Sequence, residues 1–301
     1  MNTPLVTVLV PAYNAASYLR ESIDTILAQD FRDFELLVVD DGSTDDTPAV
    51  LASVDDPRLR VVRQDNTGLV GALNRGLDEA RGEFVARMDA DDPMPAGRLS
   101  AQMRAMHDDP GLIVCGTAYE LFGAITGRVR MPLSDNACRQ RMLMGSPHCG
   151  ASVMIRSSVL DRTGLRFRPE FAHAEDYRMW TELSEHGRLG NLPMVGYLYR
   201  IHESQVSSLH SDEQRQAHLR IAREHALAVG VRPLSDEALT ALLWSPAPSG
   251  PRPVALARAL TNIAGPAAAA IVRRPGVETV RFTGRKVVET VARVRSAHDT
   301  A

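Results

Sequence analysis

The chain has few cysteines and no long hydrophobic run. Its three cysteines, Cys115, Cys138 and Cys149, are an odd number that cannot all pair within one chain. This count argues against a disulfide scaffold and a cysteine-based zinc site, and it favours a reducing cytoplasm. No stretch approaches the roughly 18 uninterrupted apolar residues of a membrane span. The first residues also contain no basic leader, so neither a membrane span nor secretion is expected.

Net charge is also small. The chain has 34 Lys and Arg against 37 Asp and Glu, a formal charge of −3, which supplies no overall positive field for a nucleic acid backbone. We therefore expect no nucleic acid partner. Residues 251–301 nevertheless carry a local excess of +6. This basic tail could meet an anionic membrane surface, and the alternative is an ordinary solvated helix bundle.

Apolar periodicity in the first half is typical of βαβ units, in which short buried strands alternate with helices. The pattern predicts strands at residues 5–10, 35–39, 59–62 and 83–88, and helices at residues 16–28, 43–53, 68–80 and 96–107. A parallel sheet with covering helices follows, within an α/β fold. The hydrophobic content of 44% is sufficient for a substantial core.

The remaining sequence predicts a mixed region followed by helices. Strands are expected at residues 113–122, 151–155 and 194–199, with a helix at residues 176–185 that makes this region suited to a second substrate. Helices are expected at residues 209–229 and 235–243. A Pro-rich stretch then begins at residue 245 and is typical of a linker.

Three carboxylates stand within four residues at the end of the fourth predicted strand: Asp89, Asp91 and Asp92. Hard divalent cations such as Mg²⁺ and Mn²⁺ take oxygen ligands and keep positions open for water and substrate phosphates. Asp-x-Asp at the carboxyl end of a strand therefore predicts a metal–diphosphate site. The alternative is a solvated acidic turn that caps the next helix, because Asp is a favoured cap and turn residue.

Polar clusters also follow the other three predicted parallel strands. They are Pro11-Ala12-Tyr13-Asn14, Asp40-Asp41-Gly42-Ser43 and Asn66-Thr67-Gly68. Ligands of open α/β sheets bind beyond the carboxyl ends of the strands, where such loops converge. Four clusters at one edge are far more specific than any one of them, and together they predict a ligand site.

With these clusters the chain resembles glycosyltransferase family 2 over about residues 5–208. The strongest carriers are PAYN at 11–14, VDDGSTDDT at 39–47, NTGLVGALNRGLDEARGEFVARMDADD at 66–92, HAEDYRMW at 173–180 and YRIHESQVS at 199–207. The resemblance implies the GT-A fold, with a Rossmann-like, mostly parallel sheet, a mixed acceptor-side region and a C-terminal helical extension. It also implies inverting transfer of a sugar from a nucleoside diphosphate sugar, expected to be UDP-linked.

For the donor, the resemblance implies that Asp41 accepts a hydrogen bond from the base, expected to be uracil, and that Tyr13 packs against the ring. A tight turn followed by a helix cap is the alternative for Asp41 and Gly42. Arg87 could contact phosphate or pair with the nearby carboxylates. The full set of expected nucleotide-sugar-binding residues is Pro11, Tyr13, Asn14, Asp41, Asn66, Gly68, Arg87 and Asp89.

For the cofactor, the resemblance implies a divalent cation, Mn²⁺ or Mg²⁺. Asp91 is the first candidate ligand, and Asp89 is expected to contact the ribose or the metal through water. His202 is the third candidate, because a neutral imidazole could complete the metal's ligands. An isolated histidine at the surface is the alternative for His202.

For the acceptor, Glu175 and Asp176 match the acidic motif of the family. We expect Asp176 to be the general base and Glu175 to contact the acceptor or support the site. The alternative is that both acids only favour the start of a helix. The Gln-x-x-Arg-Trp motif of processive polysaccharide synthases is missing from the sequence, which favours a single addition.

The expected function is therefore metal-dependent inverting transfer of one sugar to a hydroxyl of a glycan or glycolipid, in cell-surface polysaccharide synthesis. Transfer to polyprenyl phosphate and a catalytically silent glycan- or membrane-binding module are the alternatives. The expected domains are a transferase domain at 1–208, a helical extension at 209–244, a linker at 245–253 and a basic helical tail at 254–301. We expect a cytoplasmic protein, with peripheral contact to the inner face of the membrane through the tail.

Overall fold

The computed structural model describes residues 3–124, 126–201 and 211–244. Among these residues, one compact unit comprises the chain up to residue 135 together with residues 146–214, and a second comprises residues 136–145 and those from 215 onward. The predicted linker at 245–253 and basic tail at 254–301 lie outside the described residues. The predicted domain boundaries therefore stay predictions.

The parallel half of the sheet has the strand order β3-β2-β1-β4, and the three neighbouring pairs are all parallel. Its strands are β1 (Val6–Ala12), β2 (Phe34–Asp41), β3 (Leu59–Gln64) and β4 (Phe84–Arg87), and its connecting helices are α1 (Ala16–Leu27), α2 (Thr47–Ala52) and α3 (Gly68–Glu79). Strands β1 and β2 are buried along their whole length, as expected for central strands covered on both faces.

Helix α1 illustrates how periodicity positions the covering layer. Its buried residues Leu19, Ile23 and Ile26 recur three and four positions apart, so they form one apolar stripe. These side chains belong to the same hydrophobic core as β1 and β2. Burial of this stripe fixes the helix against the sheet and therefore fixes the loop between β1 and α1.

The mixed half of the sheet continues from β4. It contains α4 (Arg98–Asp108), β5 (Leu112–Gly123), β6 (Gly127–Val129), β7 (Met154–Arg156), α6 (Ser157–Thr163), α7 (Glu175–Leu183) and β8 (Arg188–Ile201). Strand β7 lies antiparallel between β4 and β5, whereas β8 pairs with β5 in parallel along the full length of β5. The α/β fold with a mostly parallel sheet and a mixed region is therefore confirmed.

Several predicted elements in the mixed half are wrong in their bounds. The strand predicted at 151–155 is split, because residues Gly150–Ser152 form a 3-10 turn before β7 begins at Met154. The N–H and the hydroxyl of Ser152 each donate to the carbonyl oxygen of Cys149 at 2.9 Å, which closes this turn. Strand β8 also begins six residues before the predicted strand at 194. Two short helices, α5 (Asp135–Arg141) and α6, were not predicted.

The second unit is helical in its described part. It contains most of α8 (Ser211–Ala228) and all of α9 (Asp236–Trp244). The imidazole of His218 meets the indole of Trp244 edge-on, with ring centroids 5.6 Å apart. No helix in the described ranges is both long and apolar enough to span a membrane.

Candidate functional site

The parallel strands bring the predicted polar clusters to one edge of the sheet. Ala12 at the end of β1 lies opposite Asp40 of β2, and Asp41 lies opposite Gln64 of β3. Arg87, two residues before the acidic cluster, lies opposite Leu9 of β1. The four clusters therefore emerge side by side at the carboxyl ends of β1 to β4, where ligands of such sheets bind.

Asp41 is almost fully buried, with 2% of its surface exposed, and its carboxylate organises the loop after β3. Oxygen Oδ1 accepts from the side-chain amide of Gln64 at 2.7 Å, from the backbone N–H of Thr67 at 3.0 Å and from the Thr67 hydroxyl at 3.1 Å. Oxygen Oδ2 accepts from the backbone N–H of Gly68 at 2.8 Å. Asp41 therefore holds this loop through four donors, and Oδ2 keeps capacity for one more.

Gly42 continues this arrangement. Its φ of +76° is one that glycine adopts without steric cost, and a Cβ there would lie 2.8 Å from the backbone nitrogen of Asn66. Only a residue without a side chain permits so close an approach of the two loops. Asn66 itself is exposed to solvent.

Asn14 and Tyr13 follow β1. Asn14 has a φ of +49°, its N–H donates to Ser43 Oγ at 3.0 Å, and its Oδ1 accepts from the N–H of Thr44 at 2.9 Å. Asn14 therefore ties the first loop to the second. Tyr13 is 52% exposed, which leaves its ring accessible to a ligand, whereas Pro11 is buried within β1.

Hydrogen bonds join the acidic cluster after β4 to residues of β8. Asp89 is approached by Nη2 of Arg87 at 3.3 Å and by the phenol of Tyr197 at 3.2 Å. The Tyr197 phenol also contacts Asp92, which in addition accepts from the N–H of Arg200 at 2.7 Å. Nε of Arg200 donates to the carbonyl oxygen of Asp91 at 2.9 Å. The structure thus brings Asp89, Asp91 and Asp92 together in one supported loop.

Asp92 is a carboxyl group of this cluster whose ionisation is strongly affected by burial. Burial, with smaller contributions from Asp91 and Asp89, raises the pKa of Asp92 to about 8. Carboxylate oxygens are the ligands that hard divalent cations prefer, so the residue types of this loop fit such a cation. No three His, Cys, Asp or Glu side chains are grouped as a possible metal cage in the part of the chain that the structure describes.

Arg87 lies between the acidic cluster and the predicted base. Besides Asp89, its Nη1 lies 3.7 Å from Oε1 of Glu175, and both side chains are buried. Burial disfavours the charged form of Arg87, but the carboxylates of Asp89, Glu175 and Asp176 outweigh burial and raise its pKa above the ordinary value. The guanidinium therefore contacts carboxylates on both sides of the site.

Glu175 and Asp176 begin α7, and Asp176 Oδ1 accepts from the N–H of Tyr177 at 2.6 Å. Burial and the neighbouring Glu175 raise the pKa of Asp176 to about 7, although Arg87 acts in the opposite direction. A carboxyl group with a pKa near neutrality is suited to accept a proton at physiological pH.

Three supporting residues were missed by the sequence analysis: Tyr197, Arg200 and Gly150. A Cβ at Gly150 would lie 2.8 Å from Nη1 of Arg87 and 3.0 Å from Oδ2 of Asp176, so this glycine packs directly against both. Arg200 belongs to the YRIHESQVS motif, and the motif could have identified it as a site residue. Tyr197 and Gly150 belong to no motif, so nothing in the sequence identifies them. His202, the predicted histidine ligand, lies outside the described residues.

Comparison with known proteins identifies the class to which this fold and site belong. The sequence model of Glycosyl transferase family 2 matches residues 7–162. An uncharacterized glycosyltransferase of Haemophilus influenzae is 33% identical over 238 residues, which cover 74% of each chain. The chain belongs to glycosyltransferase family 2, as its motifs predicted.

A named relative agrees with this family, and solved structures share the fold. The Escherichia coli protein WfgD, a UDP-Glc:alpha-D-GlcNAc-diphosphoundecaprenol beta-1,3-glucosyltransferase, is 31% identical over 69% of this chain and 81% of its own. Staphylococcus aureus TarS 1-349 in complex with UDP-GlcNAc has a TM-score of 0.63 at 17% identity, covering 98% of this chain and 91% of that one. The Pyrobaculum calidifontis mannosyltransferase PcManGT, with GDP-Man and Mn²⁺, has a TM-score of 0.59 at 21% identity, covering 98% and 88%. The GT-A fold is therefore confirmed.

Proposed function

We propose that this chain is a metal-dependent inverting glycosyltransferase that moves one hexosyl or N-acetylhexosaminyl residue from a UDP-sugar to a hydroxyl of a glycan or glycolipid. The observation that carries the proposal is Arg87, whose guanidinium contacts Asp89 of the acidic cluster and Glu175 beside the candidate base. Arg87 would thus border both the donor site and the acceptor site. Transfer between two bound substrates requires that the two sites adjoin.

The donor half of the proposal rests on the loops after β1, β2 and β3. Asp41 would accept the imide N–H of uracil through Oδ2, which also accepts from the N–H of Gly68. The exposed ring of Tyr13 would pack against the base, while Pro11, Asn14, Asn66 and Gly68 shape the loops around it. The UDP-Glc in the name of WfgD and the UDP-GlcNAc bound to TarS support UDP as the carrier.

Asp91 and Asp89 would hold a Mn²⁺ or Mg²⁺ ion, together with His202. The two carboxylates fit such an ion, because hard cations bound through few protein oxygens complete their shell with substrate phosphates and water. When bound, the ion would neutralise charge on the departing diphosphate. The Mn²⁺ in the complex of PcManGT is consistent with this requirement.

Asp176 would act as the general base, with Glu175 supporting it. The oxygen of the acceptor hydroxyl attacks the anomeric carbon from the face opposite the diphosphate, and its proton passes to Asp176. The bond between the anomeric carbon and the diphosphate oxygen breaks, so the nucleoside diphosphate leaves and the anomeric configuration inverts. The raised pKa of Asp176 supports this role, because it matches the base to neutral pH.

The acceptor is proposed to belong to cell-surface polysaccharide synthesis, as a sugar hydroxyl of a glycan or a lipid-linked saccharide. The lipid-linked acceptor named for WfgD supports this class. Residues 1–208 would form the transferase domain and residues 209–244 a helical extension. The basic residues of 254–301, beyond the linker at 245–253, would hold this cytoplasmic enzyme at the inner face of the membrane. Failure of the full chain to sediment with anionic vesicles at low salt would refute this attachment.

Calorimetric titration of UDP tests the donor site. Wild-type protein should bind UDP with Mn²⁺ present and lose most of that affinity without it, and Asp91→Ala should bind weakly in both conditions. Asp176→Asn should retain UDP binding and lose transfer, since an amide does not accept the acceptor proton. Transfer by Asp176→Asn at the wild-type rate would exclude this base. If UDP fails to bind, titrations of GDP and dTDP identify the carrier instead.

A further inference from the structure

Arg98, the first residue of α4, is completely buried, with 0% of its surface exposed. Arginine is almost never fully buried unless it is paired with a carboxylate. Among the residues that the structure describes, no carboxylate oxygen lies within ion-pair distance of its guanidinium. Burial lowers the pKa of Arg98 to about 10, so the side chain remains charged at neutral pH. A charge buried at such cost needs a different explanation from ion pairing.

The guanidinium of Arg98 is held by main-chain oxygens from two separate segments. Its Nη2 donates to the carbonyl oxygen of Arg87, at the end of β4, at 2.8 Å and to that of Val153 at 3.3 Å. Its Nη1 lies 3.3 Å from the sulfur of Met88. Arg98 therefore joins the strand that leads into the acidic cluster to the segment that leads into β7.

Gln102, one turn further along α4, extends this connection. Nε of Arg98 donates to its Oε1 at 3.1 Å. Its Nε2 then donates to the carbonyl oxygens of Ser152 at 2.9 Å and Cys115 at 2.5 Å. Together the two side chains of α4 bind the main chain of three segments. These contacts add to the direct hydrogen bond from the N–H of Arg87 to the carbonyl oxygen of Val153 at 3.0 Å.

The segment that Arg98 and Gln102 hold is the one that faces the candidate base. Gly150 begins the 3-10 turn that ends at Ser152, and the position of its missing Cβ lies 2.8 Å from Arg87 Nη1 and 3.0 Å from Asp176 Oδ2. Movement of this turn by even a fraction of an ångström would alter the space that these two charged groups occupy.

We propose that Arg98 is a positioning residue for sugar transfer: by binding the carbonyl groups of Arg87 and Val153, it fixes the separation between Asp89 on the donor side and Asp176 on the acceptor side. This inference rests on the proposed function, which assigns those two carboxylates to donor and base. Transfer rates depend steeply on such separations, and a misplacement of about 1 Å can cost about 100-fold.

The chemistry of arginine explains why this position would not tolerate a simpler residue. Its planar fork presents donors in fixed directions, so one side chain reaches several acceptors at once. Lysine keeps the charge but concentrates its donors on a single flexible nitrogen. Arg98→Lys therefore preserves charge and helix propensity while it removes the simultaneous contacts to Arg87 and Val153.

The first experiment compares Arg98→Lys with Arg104→Lys, a matched control at an exposed arginine of the same helix. For Arg98→Lys we expect kcat with the preferred UDP-sugar to fall at least about 10-fold, while the Kd of UDP with Mn²⁺ changes less than about 3-fold. Arg104→Lys should match the wild type in both. A wild-type kcat for Arg98→Lys would refute the proposal, as would equal losses of kcat and UDP affinity, which indicate general destabilisation.

A second variant disturbs the same turn from its other side. Gly150→Ala should also lower kcat at least about 10-fold with UDP binding retained, and Gly127→Ala, where a Cβ has open space, is its control. The double variant should lose less than the product of the single losses, because both changes displace one turn. Fully multiplicative losses would refute a shared mechanism.

Failure of the inference can be separated from failure of the proposed function. If Asp176→Asn abolishes transfer and Arg98→Lys does not, the base stands and the role of Arg98 is refuted. If Asp176→Asn transfers at the wild-type rate, Asp176 is not the base. The proposal for Arg98 is then refuted too, because Arg98 would position a carboxylate that does not take part in transfer.

Discussion

The phenol of Tyr197 contacts the carboxyl group of Asp92, although 105 residues separate them in the sequence. Tyr197 lies fully buried on β8, whereas Asp92 ends the acidic cluster after β4. The same phenol reaches Asp89 at 3.2 Å. The loop proposed to bind metal is therefore supported by a strand of the mixed half, and its conformation depends on that strand.

Tyr197→Phe should weaken this support. The change removes a donor from two carboxylates while the ring keeps its packing, and a buried acceptor left unsatisfied costs about 1–3 kcal/mol. We expect the free energy of unfolding to fall by about that amount and UDP binding with Mn²⁺ to weaken. Urea denaturation and calorimetry measure the two effects. Unchanged stability and affinity would show that the contact makes no net contribution.

The rate of transfer should depend on the ionisation of Asp176. Because a general base must be deprotonated and its pKa is raised to about 7, kcat should rise with pH up to about 7 and then level. Below that value the expected slope is about tenfold per pH unit. A pH profile at saturating substrates measures this. A flat profile from pH 5 to pH 8 would exclude a base with this pKa.

Arg87→Met should move that profile to higher pH. The guanidinium lowers the pKa of Asp176, so its removal should raise that pKa further and displace the ascending limb to higher pH. Arg87→Lys is the matched control, because it retains the positive charge and should shift the limb less. An identical shift in both variants would mean that charge is not the cause.

Stability should decline in acid through His148. This buried side chain binds Oδ1 of Asn191 through Nδ1 at 2.9 Å, and burial lowers its pKa to about 4 from an ordinary value of 6.5. The unfolded state therefore binds a proton that the folded state does not between these pH values. The contribution of His148 to the free energy of unfolding is therefore complete above pH 6.5 and is lost as pH falls toward 4. The total loss is about 3 kcal/mol.

His148→Gln tests this contribution, since an amide can donate to Asn191 without titrating. Between pH 4 and 6.5, the free energy of unfolding should change with pH less steeply in the variant than in the wild type. The expected difference in slope is about 1.4 kcal/mol per pH unit. His107→Gln is the control, because that imidazole is 87% exposed. Urea unfolding at several pH values gives the comparison, and equal pH dependences in wild type and His148→Gln would contradict the prediction.

The parallel half of the sheet was predictable from sequence because its signals are local. The strands β1, β2 and β4 are buried, β3 is partly exposed at the edge of the sheet, and α1 and α3 show their apolar stripes at helical spacing. The polar clusters after these strands then followed from the rule that ligands bind at the carboxyl ends of parallel strands. Residue type and position in the chain were sufficient there.

The mixed half was less predictable because long-range pairing defines it. Strand β8 pairs with β5 across about 75 residues of sequence separation, with register shifts near Thr117 and Ala118 that periodicity does not reveal. The supporting role of Arg98 is equally hidden, since an arginine at the start of an amphipathic helix has the pattern of a solvated residue. Only the fold shows which carbonyl groups surround it.

The four donors around Asp41 have a thermodynamic consequence for the proposed nucleotide site. Because the carboxylate already fixes Gln64, Thr67 and Gly68, the loop loses its conformational freedom when the protein folds rather than when the ligand arrives. Binding then carries no further ordering cost at this loop, and affinity depends on the contacts themselves. Asp41 would therefore have ordered this loop before any nucleotide reaches the proposed site.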